Sequence, residues 1–413
     1  MASLSRRRTG PHLTAVKSSL HERCAPGSSI RTGWSMIADV LVVGGGIVGL
    51  AAAFEAARAG FRVRLCEARR IGAMASGVTL GGVWQSGRHP AELPLARAAV
   101  AIWQELDQLL GAPTGDRRTG NLRLARSEEE AALLARMVEE QRAAGLEIAF
   151  LADGRAVREL APVLGGEIVA ASFCPGDGQA EPASVLAAYA AALRREGVVI
   201  DEGEPVRALV VEAGRVVGVR TERERIAAGK VVLAAGIETN VLLAPLALEV
   251  PLTVAEVTGL RTRPVPQRLG PVLGVVGAEI ALRQQKDGCF RVTGAAAVHA
   301  GDRPAGPRVG GLAALARDFA RLVEGAGTFP LAESWIGFLD QTPDALPVIE
   351  APAQADGLLI ACGFSGHGFA LGPVVGRLLC DLLCDRAPAL SLEAFRRERL
   401  LAGGSDAAVT LHG

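Results

Sequence analysis

The 413-residue chain is 49% hydrophobic and 21% charged, and its 44 Lys and Arg balance 44 Asp and Glu. That length suits two domains, or one domain with a large insertion. The neutral balance gives no footprint for nucleic acid or an anionic membrane, and no apolar run reaches the ~18 residues of a membrane span. The seven Cys are odd in number and lack a Cys-x-x-Cys pair, which predicts free thiols in a reducing, cytoplasmic setting and no metal site.

Residues 1–36 carry six Lys or Arg against Glu22 and show no helical or strand periodicity. They are expected to form a disordered basic tail. Arg6-Arg7-Arg8 is not followed by an apolar stretch, so export is not expected.

The segment Ala38 to Glu67 organises the rest. Ala38 to Val43 is an apolar run suited to a strand buried on both faces. Gly44, Gly46 and Gly49 follow at G-x-G-x-x-G spacing. Ile47 to Ala59 reads as an Ala-rich helix, ended by Gly60, and Arg62 to Cys66 as a second strand with Glu67 at its carboxyl end. Gly44 permits the sharp turn, Gly46 lets a pyrophosphate approach the backbone, and Gly49 lets the helix pack close. The helix start, including Ile47 and Val48, offers free N–H groups and roughly half a positive charge to phosphates. Glu67 stands where a carboxylate accepts bonds from ribose hydroxyls. Strand, turn, helix, strand and acid in this order predict a dinucleotide site, with Ala68 and Arg69 continuing its edge.

Ser76, Gly77, Thr79, Gly81 and Gly82 make a small-residue loop before a helix expected over Glu92 to Leu110. Such a loop suits either a cofactor's phosphates and ring edge or a plain linker. Arg88 and His89 at its end can point into a cleft. Ser127 with Glu130 forms a capping box for a helix to about Ala144. Strands are expected at Thr119 to Ala125, Glu167 to Cys174, Val198 to Asp201, Val206 to Glu212 and Val216 to Thr221. Pro182 opens a helix. Lys230 to Gly236 is an apolar strand of the parallel sheet, with Ala235 and Gly236 closing over the cofactor and Val206 nearby.

From Leu252 to Thr328 long alternating strands predict a second sheet, with a hairpin turned at Lys286-Asp287-Gly288 and a helix from Val309 to Glu324. Arg261, Arg263, Arg283 and Arg291 are candidates for a substrate carboxylate. One of them is expected to face the site, Arg283 first. In the last block, Gly357 to Gly376 reads as a strand, a turn of Gly363, Phe364, Ser365, Gly366, His367 and Gly368, and a helix. It is a second helix start prepared for negative charge.

At these residues the chain resembles the D-amino-acid oxidase-like family of FAD enzymes. That family includes glycine oxidase, sarcosine oxidase and the beta subunits of opine, hydroxyproline and hydrogen-cyanide-forming dehydrogenases. ASG at 75–77, SGRHPAELPLA, AAG at 234–236, TPD at 342–344 and GFSGHGF at 363–369 carry the resemblance. It implies an α/β fold: a discontinuous Rossmann-like FAD-binding domain (37–110, 165–250 and 335–400) and an α+β substrate domain with a mostly antiparallel sheet (111–164 and 251–334). It also implies oxidation of the C–N bond of a small amino acid, imino acid or secondary amine, with hydride transfer to flavin N5. The turn 363–368 then faces flavin N1 and O2, and His367, Arg283 and Arg88 are the candidate catalytic residues. His367 either adds charge there or caps the turn.

Two departures refine this. Monomeric sarcosine oxidases attach flavin to a Cys just before the TPD segment. Trp335 to Asp340 holds none, so FAD is expected to be non-covalent. The same enzymes carry Lys after GHGF, where this chain has Ala370. The change leans toward a dehydrogenase passing electrons to a second subunit or quinone. The alternative reading is a flavin-bearing non-catalytic or electron-relay subunit. An aromatic hydroxylase would instead need NAD(P)H, and the sequence has one dinucleotide fingerprint.

Overall fold

The computed structural model describes residues 35–266 and 268–401. The expected basic tail lies outside the described residues, except that Ser35 and Met36 open the first strand.

Two eight-stranded sheets form the body. In the first, the strands Leu358–Cys362, Arg225–Leu233, Ser35–Val43, Val63–Glu67 and Val199–Glu202 run parallel in that order. Val348–Glu350 closes one edge antiparallel, and Arg215–Arg220 with Ala208–Glu212 extends from the start of Arg225–Leu233. The apolar run of Ser35–Val43 follows from burial on both faces. Val40 and Val42 enter one core cluster, while Leu41 and Val43 enter another, as the two-residue period of a strand requires.

The helix after the glycine turn (Ile47–Arg58) packs along the closing helix Gly368–Leu383. Small residues permit the close approach: a Cβ on Gly376 would press on the Ala51 backbone, and one on Gly372 on the Ile47 side chain. The segment expected as one helix from Glu92 to Leu110 is two, Leu93–Trp103 and Leu106–Leu110. No Gly or Pro marks that break. Trp103 Nε1 donates to the Ala370 carbonyl (2.8 Å), tying the first of these helices to the closing helix.

The second sheet runs Leu331–Gln341, Thr253–Thr262, Phe290–Val298, Ile280–Gln284, Val272–Val275, Asn121–Ala125, Ala170–Cys174, Ala149–Leu151. Every pairing is antiparallel except Val272–Val275 with Asn121–Ala125. Leu315, Phe319 and Leu322 of the helix Val309–Leu322 cover it. Ala170–Cys174 and Leu331–Gln341, the latter mostly within 335–400, join this sheet, although the sequence places 165–250 and 335–400 in the nucleotide-binding part. The chain crosses between sheets without a linker-like stretch, so composition does not mark the crossing.

Candidate active site

A cavity of about 550 Å³ lies at the carboxyl ends of the parallel strands, where open α/β sheets take ligands. Gly44, Gly46, Ile47 and Val48 line it, with Glu67, Ala68, Arg69 and Val206 on one side. Ser76, Gly82, Ala235 and Gly236 line it too, as does the start of the closing helix.

The glycine turn is fixed by backbone contact. Gly44 adopts φ +110°, and its N–H donates to the Cys66 carbonyl (2.9 Å). A Cβ on Gly49 would overlap the Gly44 carbonyl oxygen, so Gly49 serves helix packing and does not line the cavity. Glu67 is held from both sides: Oε2 accepts from Gly45 N–H (2.7 Å) and Oε1 from Arg69 N–H (2.8 Å). Ser76 Oγ accepts from Ile47 N–H (3.0 Å) at the helix start. Gly77 does not line the cavity; a Cβ there would overlap the Gly72 carbonyl.

The second helix start is built differently from expectation. Gly363 N–H donates to Asp340 Oδ2 (2.6 Å), Ser365 N–H to the Asp340 carbonyl (3.0 Å) and His367 N–H to the Phe364 carbonyl (2.7 Å). Those three amides are therefore spent inside the turn, and Gly363 and Ser365 do not line the cavity. Phe364, Gly366, Gly368, Phe369 and Ala370 do. First-turn amides have no intrahelical acceptor, so Gly368, Phe369 and Ala370 offer theirs to the cavity.

Asp340 was not anticipated. It is buried, and burial pushes its carboxyl up to about 6, against the backbone N–H groups of Gly363 and Phe364. A raised folded value means that stability is present below the ordinary carboxylate range and lost as pH rises through about 6. The loss is about 3 kcal/mol for a shift of this size. Asp340→Asn keeps the acceptor for Gly363. It is expected to abolish this loss, read as a flatter urea midpoint between pH 4 and pH 8. An unchanged pH profile would refute the assignment.

His367 does not point into the cavity. Its Nδ1 donates to Glu92 Oε1 (3.1 Å) and lies 3.0 Å from Oε2, which is not aligned to accept. Burial first, then the Arg88 charge, holds the imidazole below its ordinary value, so it is neutral. Its ring faces a second cavity of about 400 Å³. The expected catalytic contact is thus corrected to a side chain held behind the turn by an acid 275 residues away.

Arg283 is also corrected. It is fully buried and pairs with both Glu181 carboxylate oxygens (2.9 and 3.0 Å) and with Gln179 Oε1 (2.8 Å). It anchors the second sheet to the start of the helix Pro182–Arg195 and does not line the cavity. Arg261 binds Asp287 and Gln285. Arg291 stacks on Trp335, 4.1 Å from the ring centroid, and donates to the Thr79 carbonyl. Neither they nor Arg263 line the cavity. Arg88 does. It is 5% exposed, with its guanidinium 5.8 Å from the Trp84 ring centroid and 3.6 Å from Glu92 Oε2. The other basic lining residues, Arg69 and Arg207, sit beside Glu67 and Val206. Trp84, which carries the Arg88 guanidinium, and Thr293, Trp335 and Leu339 also line the cavity. No local motif announced these four.

A family model described as FAD dependent oxidoreductase (DAO) matches residues 39–382. The chain belongs to that family. Glycine oxidase of Geobacillus kaustophilus is 31% identical over 87% of this chain and 97% of its own length. The crystal structure of glycine oxidase from that organism superposes with TM-score 0.82 at 27% identity, over 87% of this chain and 98% of its own. L-proline dehydrogenase from P. horikoshii superposes with TM-score 0.81 at 25% identity, over 88% and 98%. FAD is therefore the group this DAO-family site takes, and its residues fit. The Glu67 carboxylate at the cavity is held by two backbone amides, Gly46 leaves the backbone bare beside Ser76, and a second helix start also lines the cavity. Among the described residues no helix is long and apolar enough to cross a membrane.

Proposed function

We propose that this DAO-family protein oxidises the C–N bond of a small amino acid or imino acid to an imine, with FAD held non-covalently. One observation carries the reading. Among the described residues the basic groups lining the cavity are Arg69, Arg88 and Arg207, and of these Arg88 alone is buried, beside Trp84. A carboxylate entering that space gains a charge-assisted partner with little competition from water.

FAD, when bound, supplies the hydride acceptor. The chain's own residues do the rest. Arg88 holds the substrate carboxylate, Trp335 and Leu339 keep the cavity apolar, and the amides of Gly368, Phe369 and Ala370 favour negative charge nearby. No side chain is required as base, because the amine reacts in its neutral form.

Ala370 is buried and offers no charge beside the cavity, and one similar structure is a dehydrogenase. We therefore infer an electron acceptor other than oxygen. An intact Arg88 end favours an active enzyme over a relay subunit.

An anaerobic screen of small amino and imino acids tests this. At least one is expected to bleach the flavin without NAD(P)H, and the reduced protein is expected to reoxidise faster with a soluble quinone than with oxygen. Bleaching by NADPH alone would overturn the proposal, and rapid peroxide formation would overturn the choice of acceptor.

A further inference from the structure

We propose that Thr293 holds the substrate's amine: its hydroxyl accepts an N–H from the nitrogen next to the reacting carbon. The proposal rests on the reading of the first cavity as an amino-acid site. It adds that the donor must carry an N–H, so the substrates are primary or secondary amines and not tertiary ones.

Among the described residues, the side chains that bring oxygen to the cavity are Glu67, Ser76, Thr79, Glu238, Thr293 and Asp340. All but one have partners in the chain. Glu67 accepts from two amides, Ser76 from Ile47 N–H, Thr79 from Gly81 N–H and Asp340 from Gly363 N–H, while Glu238 pairs with Arg303. The Thr293 hydroxyl bonds to nothing among the described residues, although Thr293 is only 5% exposed. A polar side chain buried at a cavity wall without a partner points to a ligand.

The strand places that hydroxyl. In Phe290–Val298, Phe290 and Val292 enter the core under the helix Val309–Leu322, so Arg291 and Thr293 face the other way. Arg291 reaches Trp335 and the Thr79 carbonyl, and both of those residues line the cavity. Across the sheet Thr293 pairs with Ala281 on one side and Gly259 on the other. Ala281 packs with Trp84, which carries the Arg88 guanidinium. A Cβ on Gly259 would fall within the Trp335 ring. Thr293 thus lies between the Arg88–Trp84 pair and Trp335. Paired residues stand about 5 Å apart, and the amine of an α-amino acid is two bonds from its carboxylate carbon. A carboxylate on Arg88 therefore brings the amine within reach of Thr293.

An uncharged acceptor also suits the reactive form. A free carboxylate would hold the ammonium, which has no lone pair to support hydride loss. A hydroxyl near the Arg88 charge bonds the neutral amine and gives the ammonium no such gain.

Two unreactive acids of matched shape test this in the holoprotein: pyrrole-2-carboxylate, whose ring offers an N–H, and furan-2-carboxylate, whose ring does not. Both are aromatic and give no hydride. Calorimetry reads their dissociation constants, and a shift in flavin absorbance places them in the flavin cavity. The wild type is expected to bind the pyrrole acid about tenfold tighter, the worth of one buried hydrogen bond. Thr293→Val, of the same shape, is expected to lose that preference while binding the furan acid as before. Thr293→Ser is expected to keep it. A preference that survives Thr293→Val would overturn the proposal and hand the amine to a backbone carbonyl. Equal binding of both acids by the wild type would overturn it as well. Binding of neither acid would remove the carboxylate site at Arg88, and the proposal with it.

Discussion

Replacing Gly49 with alanine is expected to strip the protein of its flavin. The added Cβ would overlap the carbonyl oxygen of Gly44, and the obstacle is backbone, not a side chain that can swing away. Gly44 is held in place by its strand, which is paired on both sides, and by its own N–H bond to the Cys66 carbonyl. The turn must lift, and the amides that open the helix Ile47–Arg58 lose their aim at the pyrophosphate. Losing one to two charge-assisted hydrogen bonds costs about 3 kcal/mol, or roughly a hundredfold in affinity. The ratio of flavin to protein absorbance after gel filtration reads this directly. Gly60→Ala is the control. Gly60 also has positive φ (+94°), but nothing lies within 4 Å of its Cβ position. It is expected to lose about 1 kcal/mol of stability and keep its flavin. Full flavin occupancy in Gly49→Ala would contradict this account of the turn.

Arg88→Met is expected to lower kcat/KM for an amino acid by about 10²–10³, mostly through KM. Removing one partner of a buried, hydrogen-bonded charge pair costs roughly 2–5 kcal/mol, because the substrate carboxylate is left desolvated and unpaired. The comparison that separates this from general damage is a substrate pair: an amino acid and the matching amine without its carboxylate. The wild type is expected to prefer the acid strongly. Arg88→Met is expected to lose that preference while turning over the amine unimpaired. Arg88→Lys restores the charge without the planar fork and is expected to recover part of it. A preference for the acid that survives Arg88→Met would move the carboxylate elsewhere.

The legible parts of this chain are those whose cause is local. Gly44, Gly46, Gly49 and Glu67 lie within one strand–helix–strand unit, so their spacing alone locates the turn and the acid beside it. The turn at 363–368 is located by its own glycines, but which of its amides stay free is decided by Asp340, which takes those of Gly363 and Ser365. The side chains that failed expectation are governed at a distance. Arg283 has the composition of a carboxylate clamp, but its partner Glu181 lies 102 residues away and is inside the protein. His367 sits in the right turn, yet Glu92, on the helix-leading segment after Arg88, decides which way its ring faces. The strand Leu331–Gln341 looks like the entry to the last nucleotide-binding block. Pairing with Thr253–Thr262 over its whole length assigns it to the other sheet. Asp340 at its end carries no motif, and only the fold buries it under the Gly363 amide.

The central claim is that a C–H bond next to an amine nitrogen gives its hydride to the flavin in the cavity of Glu67 and Arg88. Anaerobic stopped-flow bleaching by a bleaching amino acid and its α-deuterated form tests this most directly. The account predicts bleaching without NAD(P)H, slowed by deuterium at the α-carbon. A flavin that no amino or imino acid bleaches, or that only NADPH reduces, would contradict it.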